Sequence, residues 1–135
     1  MTITVTPKSA STINLDEVII QISNGTKLCI LAWNTSKFAL QPSSSGVFST
    51  PGLFDLEASS FGIIVEEDGD GSCNASNPII NKGDKACITV NLSACFNGLD
   101  SRADVRGIVI PEVGAPAVIF FRTPATNSNM VVDFF

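Results

Sequence analysis

Gly107-Ile-Val-Ile-Pro-Glu-Val-Gly-Ala-Pro-Ala-Val-Ile-Phe-Phe-Arg-Thr-Pro124 is the stretch whose reading decides the fold class. Ile108 to Ile110 and Ala117 to Phe121 are short β-branched and aromatic runs, and Pro111, Gly114 and Pro116 between them forbid a continuous helix or ladder. Two strands joined by a rigid turn satisfy both facts. Outward from this stretch, period-2 alternation or short apolar runs recur along the chain, with no 3.6-period stripe of helical length. The runs predict strands at Thr2 to Thr6, Glu17 to Ser23, Lys27 to Asn34, Gly62 to Glu66, Ala86 to Asn91, Val105 to Ile110, Ala117 to Phe121 and Met130 to Phe134. Such spacing predicts a single all-β domain over residues 1–135, an Ig-like or Greek-key β-sandwich or barrel of about eight strands.

Ser23-Asn24-Gly25-Thr26 predicts a two-residue type I′ hairpin, because Asn-Gly accepts the positive φ that turn demands. Gln41-Pro-Ser-Ser-Ser-Gly46 and the Asp68 to Pro78 stretch read as loops, and Leu53 to Ser59 has room for one short helical turn. Trp33, flanked by apolar residues, reads as a core residue of its strand.

Composition excludes more functions than the motifs include. The 135 residues carry 44% hydrophobic and only 16% charged side chains, and mean hydropathy is +0.32, so the surface is expected to be partly covered by neighbours or glycans. A net charge of −5 without clustered Lys or Arg argues against nucleic acid as a partner. There is no histidine, which removes Ser-His-Asp and Cys-His catalysis and the commonest nitrogen ligand of transition metals. No G-x-S-x-G, P-loop or G-x-G-x-x-G pattern occurs, and no run reaches the roughly 20 apolar residues of a membrane helix. The expectation is no enzyme and no membrane partner. Met1 leads straight into the strand-like Thr2-Ile-Thr-Val-Thr6, so an upstream segment is expected to precede this domain in its natural polypeptide.

Cys29, Cys73, Cys87 and Cys95 contain no C-x-x-C pair, which leaves disulfides or buried thiols. Cys73 with Cys87 is the expected bridge, since the two bracket a turn-rich segment before a strand, while Cys29 and Cys95 are expected as buried thiols. Asn24, Asn34, Asn74 and Asn91 each open an N-x-S/T sequon and are formal acceptors of N-glycans. Asn24 and Asn74 lie in the best exposed sequence contexts, whereas Asn91 stands at a strand end.

Asp68-Gly-Asp-Gly-Ser72, preceded by Glu66 and Glu67, is the densest oxygen-ligand cluster. Carboxylates alternating with glycines can turn several oxygens toward one point, which suits Ca²⁺ or another hard divalent cation. Cys73 stands where an EF-hand needs glycine and Ile79 where it needs glutamate, so this is not an EF-hand. A solvated acidic turn is the plain alternative, and a glycosidase pair is disfavoured because residues two apart on one loop do not flank a cleft.

Together with Asn81-Lys-Gly-Asp-Lys-Ala-Cys-Ile-Thr-Val-Asn-Leu-Ser93, the Gly107 to Pro124 stretch resembles the C-terminal part of archaellins, the flagellins of archaea, most of all those of methanogens. The resemblance implies a structural subunit of an extracellular filament that drives swimming, with other archaellin subunits as partners and N-glycans as common decoration. It also implies a metal ion in the globular domain, for which Asp68 and Asp70 are the leading ligands and Ser72 and Asp84 the additions. Family members carry an N-terminal hydrophobic helix that builds the filament core; no such helix stands in this sequence, which therefore resembles the outer β domain alone. A secreted carbohydrate- or cell-binding adhesin-like sandwich, and a minor pilin-like accessory subunit, are the rival readings.

Overall fold

The computed structural model describes residues 1–7, 12–40, 46, 50, 52–97, 102–112 and 115–122, and the backbone of 131–134. Its strands are β1 (Thr2–Val5), β2 (Ile13–Asn14), β3 (Ile19–Ser23), β4 (Leu28–Ala39), β5 (Ser60–Glu67), β6 (Cys73–Asn74), β7 (Asn77–Ile80), β8 (Lys85–Thr89), β9 (Asp104–Ile110), β10 (Ala117–Arg122) and β11 (Val131–Phe134). The helical content described is a 3₁₀ turn at Leu15–Glu17 and one five-residue helix, α1 (Leu92–Phe96).

Eight strands form one sheet in the order β10-β9-β3-β4-β5-β8-β1-β11, and β2-β7-β6 form a second, small one. The all-β expectation holds, and the eight strands read from the sequence are the eight members of the large sheet. Alternation fixes the faces: Ile20 and Ile22 of β3, Leu31 and Trp33 of β4, Ile63 and Val65 of β5, Val105 and Val109 of β9 all point into one core. Ile3 of β1 and Ile119 of β10, from opposite ends of the strand order, join the same cluster, so the sheet curls around it. Trp33 is a core residue as expected, 9% exposed, with its indole N–H donating to the Lys37 carbonyl at 3.2 Å.

β9 and β10 pair as the opening stretch predicts, from Ala117 opposite Val109 to Arg122 opposite Asp104. Gly107 is needed there, because a Cβ would collide with the Gln21 carbonyl of neighbouring β3. β4 and β5 run parallel. Parallel neighbours cannot be joined by a tight turn, so the chain between them must cross back over the sheet. Part of this crossover lays Leu53 on the outer side of β5 and β8, against Ile64 and Cys87. Thr89 Oγ1 donates to the Leu53 carbonyl at 2.7 Å and Asn91 Nδ2 to that of Phe54 at 3.1 Å. Gly62 leaves space for this approach.

The sequence reading needs several corrections. The bridge is Cys29–Cys95, with Cα atoms 6.1 Å apart, and the expected Cys73–Cys87 bridge does not form. Cys73 packs into the inner core while Cys87 points to the outer layer under Leu53, so the large sheet separates them. β3 and β4 do form a hairpin, but Ser23 pairs with Leu28 and four residues connect them. Positive φ falls on Gly25, at 96°, and Asn24 instead folds its side chain back on the loop. Leu53 to Ser59 forms hydrogen-bonded turns and no helix. The small sheet and α1 were not anticipated, since elements of two to five residues leave no readable period. Of the expected turn and loop residues, Val113, Gly114 and Gln41 to Ser45 lie outside the described residues, as does Met130 of the last strand.

Candidate functional site

The acidic loop between β5 and β6 is held by its own side chains. Asp68 Oδ2 accepts from the Cys73 amide at 2.9 Å, and Asp70 Oδ1 accepts from the Ser72 amide at 3.1 Å, with Gly71 at φ 70° making the turn. The β6–β7 hairpin then returns the chain, so that the Asn81-Lys-Gly-Asp84 turn before β8 stands beside this loop. Asp84 is 4% exposed, and its Oδ2 accepts from the Asn81 amide at 2.9 Å. Asn81 Nδ2 donates to Asp70 Oδ2 at 2.6 Å and links the two loops.

Asp68, Asp70 and Asp84 each bring a carboxylate oxygen within 4.8 Å of the others. Among the described residues Asp68 Oδ1 is buried without a hydrogen-bond partner, an orphaned oxygen of the kind that a cation would satisfy. The Asn81 side-chain hydrogen bond, followed by those from Ser72, holds the Asp70 carboxyl well below the usual carboxylate range, so it is anionic at neutral pH. Of the four expected ligands, the structure brings these three aspartates together. Ser72 is near them, but its hydroxyl donates to the Ile79 carbonyl at 3.2 Å. Asn81 was missed; its only sequence signal was its position at the head of the turn that carries Asp84.

The four sequons divide in two. Asn24 Oδ1 accepts from the Thr26 amide and hydroxyl at 3.1 and 3.0 Å, and Asn34 Oδ1 accepts from the Ser36 amide and hydroxyl at 3.1 and 2.8 Å. Asn74 Oδ1 accepts from the Ser76 amide at 3.0 Å. In each, the side chain turns over its own sequon, an Asx-turn geometry. Asn91 is different: its Oδ1 caps α1 through the Ala94 amide at 3.1 Å, and its amide nitrogen is spent on the Phe54 carbonyl.

The remaining thiols are inert in character. Burial, followed by the nearby charges of Asp68 and Asp84, pushes Cys73 up to about 11. Burial, followed by Glu66, pushes Cys87 up to about 12. Thiols so far from ionisation are poor nucleophiles at neutral pH.

A curled all-β sheet tied by an internal disulfide and carrying a carboxylate cluster on its connecting loops defines a class: a disulfide-linked all-β domain. Its residues 1–121 match the model of the archaeal-type flagellin family, and the chain belongs to that family. It is 42% identical over 127 residues to flagellin B2 of Methanocaldococcus jannaschii, covering 93% of this chain and 58% of that protein. Against flagellin B3 of the same organism it is 36% identical, covering 98% of this chain and 62% of that protein. The crystal structure of archaeal flagellin FlaB1 from M. jannaschii matches with a TM-score of 0.80 at 32% identity, covering 93% of this chain and 78% of that one. The chain thus spans about three fifths of the length of those two relatives. The resemblance read from the sequence is borne out.

Proposed function

We propose that residues 1–135 are the outer β domain of a structural subunit of the archaeal flagellum, an extracellular filament built from many flagellin subunits, and that the domain catalyses nothing. Family membership over residues 1–121 carries this reading. The test is mass spectrometry of filaments sheared from the cell surface. Peptides of this chain at subunit stoichiometry are expected; their confinement to the culture supernatant or cytoplasm would overturn it.

The carboxylate cluster fits a hard divalent cation, Ca²⁺ foremost, held by Asp68, Asp70 and Asp84. The orphaned Asp68 oxygen supports this choice. Such an ion would pin the β5–β6 loop to the turn before β8, while Ser72 closes its loop through Ile79 and serves as a lesser ligand. Binding the folded state alone stabilises it by about 1–3 kcal/mol when the ion exceeds its dissociation constant by one to two orders of magnitude. Adding CaCl₂ after EDTA treatment should therefore raise Tm in the wild type and leave an Asp68→Asn, Asp70→Asn double variant unmoved. An equal rise in both would refute the site.

N-glycans are proposed at Asn24, Asn34 and Asn74, where the side-chain bonds among the described residues use Oδ1 and leave the amide nitrogen uncommitted. Asn91 is the least accessible acceptor of the four, because its amide nitrogen donates to the Phe54 carbonyl and a glycan there would have to displace that contact. Glycopeptide mapping of the native protein should find higher occupancy at one or more of the first three than at Asn91.

A further inference from the structure

Among the described residues the exposed large apolar side chains are Leu28, Ile30, Leu40, Val118 and Phe120, and all but Leu40 stand on the outer side of β10, β9, β3 and β4. Register sets Val118, Ile108, Gln21 and Ile30 in one row across the four strands, and Phe120, Arg106, Ser23 and Leu28 in the next. Polar side chains thus interleave the apolar ones. Charge is mixed too: Arg106 lies over the Phe120 ring at 5.4 Å, Arg122 pairs with Asp104, and exposed Glu17 and Glu112 flank the other ends of β3 and β9. A stable protein contact wants a continuous core depleted of charge, which this surface lacks. A sugar ring wants the mixture, an aromatic or aliphatic side chain under its C–H face and donors and acceptors beside it for its hydroxyls.

Two glycan acceptors stand at the ends of this same surface. Alternation along β4 turns Leu28, Ile30, Ala32 and Asn34 outward, while Cys29, Leu31 and Trp33 between them face the core. Asn34 therefore belongs to the column that holds Leu28 and Ile30, about 14 Å along the strand from Ile30. Asn24 lies in the connection between Ser23 and Leu28, next to the Phe120 row. At both, the side-chain bonds among the described residues use Oδ1 and leave the amide nitrogen for a glycan. Asn74 has a similar turn but stands on the small sheet.

We propose that sugar roofs this half of the sheet: N-glycans on Asn24 and Asn34 fold back onto their own chain and pack on Leu28, Ile30, Val118 and Phe120. This rests on the glycan reading above and adds where the sugars lie. Tethering makes weak contacts sufficient, because a group on a short link is present at millimolar effective concentration and fills a surface for which the free sugar has only millimolar affinity. The glycans then do for this half what the crossover through Leu53 does for β5 and β8.

The experiment compares the chain purified from its native cells with two double variants made in the same cells, Asn24→Gln with Asn34→Gln, and Thr26→Ala with Ser36→Ala, which keeps both asparagines but removes both sequons. Glycopeptide mapping establishes occupancy, and hydroxyl-radical footprinting reads the oxidation of Phe120, Leu28 and Leu40. Both variants should fold, with Tm within about 3 °C of wild type, because the changes lie in surface turns. Phe120 and Leu28 should be oxidised about threefold more slowly in the glycosylated chain than in either variant, as tethered occupancy of a weak site predicts, with Leu40 unchanged. Occupied acceptors with Phe120 and Leu28 oxidised at the variants' rate would overturn the sugar roof and leave the glycan reading standing. Equal protection at Leu40, or protection that persists in the Thr26→Ala, Ser36→Ala chain, would do the same. Bare Asn24 and Asn34 in the native chain would overturn the roof, and with Asn74 bare as well the glycan reading would fall with it.

Discussion

Two halves of one outer surface behave oppositely, although strands of similar composition build them. Over β5 and β8 the surface is roofed: Ile64 is 0% exposed, and Cys87 and Leu53 pack with it. Over β10, β9, β3 and β4 it is bare, and Ile30, the same residue type in an equally regular strand, is 53% exposed. The difference follows from connectivity. The parallel pair β4 and β5 forces a long crossover, and that crossover is the roof. β3 with β4 and β9 with β10 are antiparallel neighbours whose links need not cross the sheet, and among the described residues Ile30 and Val118 stay more than half exposed. Hydrophobic sequence makes a strand sticky on a face, but only the path of the chain decides whether that face is covered from within or left exposed.

The largest effect is expected from the link between the two halves. Cys29 lies on β4 and Cys95 on α1, which follows β8, so the disulfide ties the bare half to the roofed half across the core. The bridge spans 66 residues, and Cys95→Ser should cost about 4 kcal/mol by loop entropy, read as a lowered urea midpoint. A change below about 1 kcal/mol would mean that the halves are held together by packing alone.

Next comes the direct contrast. Ile64→Ala should lose about 3 kcal/mol through the cavity it leaves, whereas Ile30→Ala should stay within about 0.5 kcal/mol. Similar losses at both positions would erase the distinction between roofed and bare. The roof itself is probed by Leu53→Ala, expected to cost about 2 kcal/mol. This variant should also make Cys87 react with a thiol reagent in the native state, while wild-type Cys87 reacts only on unfolding.

The smallest effect is electrostatic. Burial raises Cys87 from an ordinary value near 9 to about 12, so the folded state holds the thiol proton more tightly than the unfolded chain does. That contribution is complete below pH 9 and is lost progressively as pH rises toward 12. Tm should therefore fall from pH 8 to pH 10, and Cys87→Ala should flatten the slope. An unchanged slope would assign the loss to Cys73, whose thiol is raised by burial from near 9 to about 11 and whose contribution is lost in the same direction.

Much of the large sheet was legible because its strands bury one face and expose the other, and alternation records that locally, as in Ile20-Gln21-Ile22. The small sheet was not, since β2 and β6 are two residues long and sit in polar loop sequence. The site was half legible. Asp68 and Asp70 announce themselves by density, but the approach of Asp84 and Asn81 depends on the β6–β7 hairpin returning the chain. The disulfide was misread because nearness in sequence says nothing about which side of a sheet each cysteine faces.

The sequence by itself determined an all-β chain, the membership of its main strands, the exclusion of histidine chemistry and the family to which it belongs, because these depend on residue type and local period. Only the tertiary structure decided the Cys29–Cys95 pairing, the meeting of three carboxylates and the parallel β4–β5 step that roofs one half and bares the other. Those features join residues distant in the chain, and the order in which strands curl around a shared core is set by packing that no local stretch encodes.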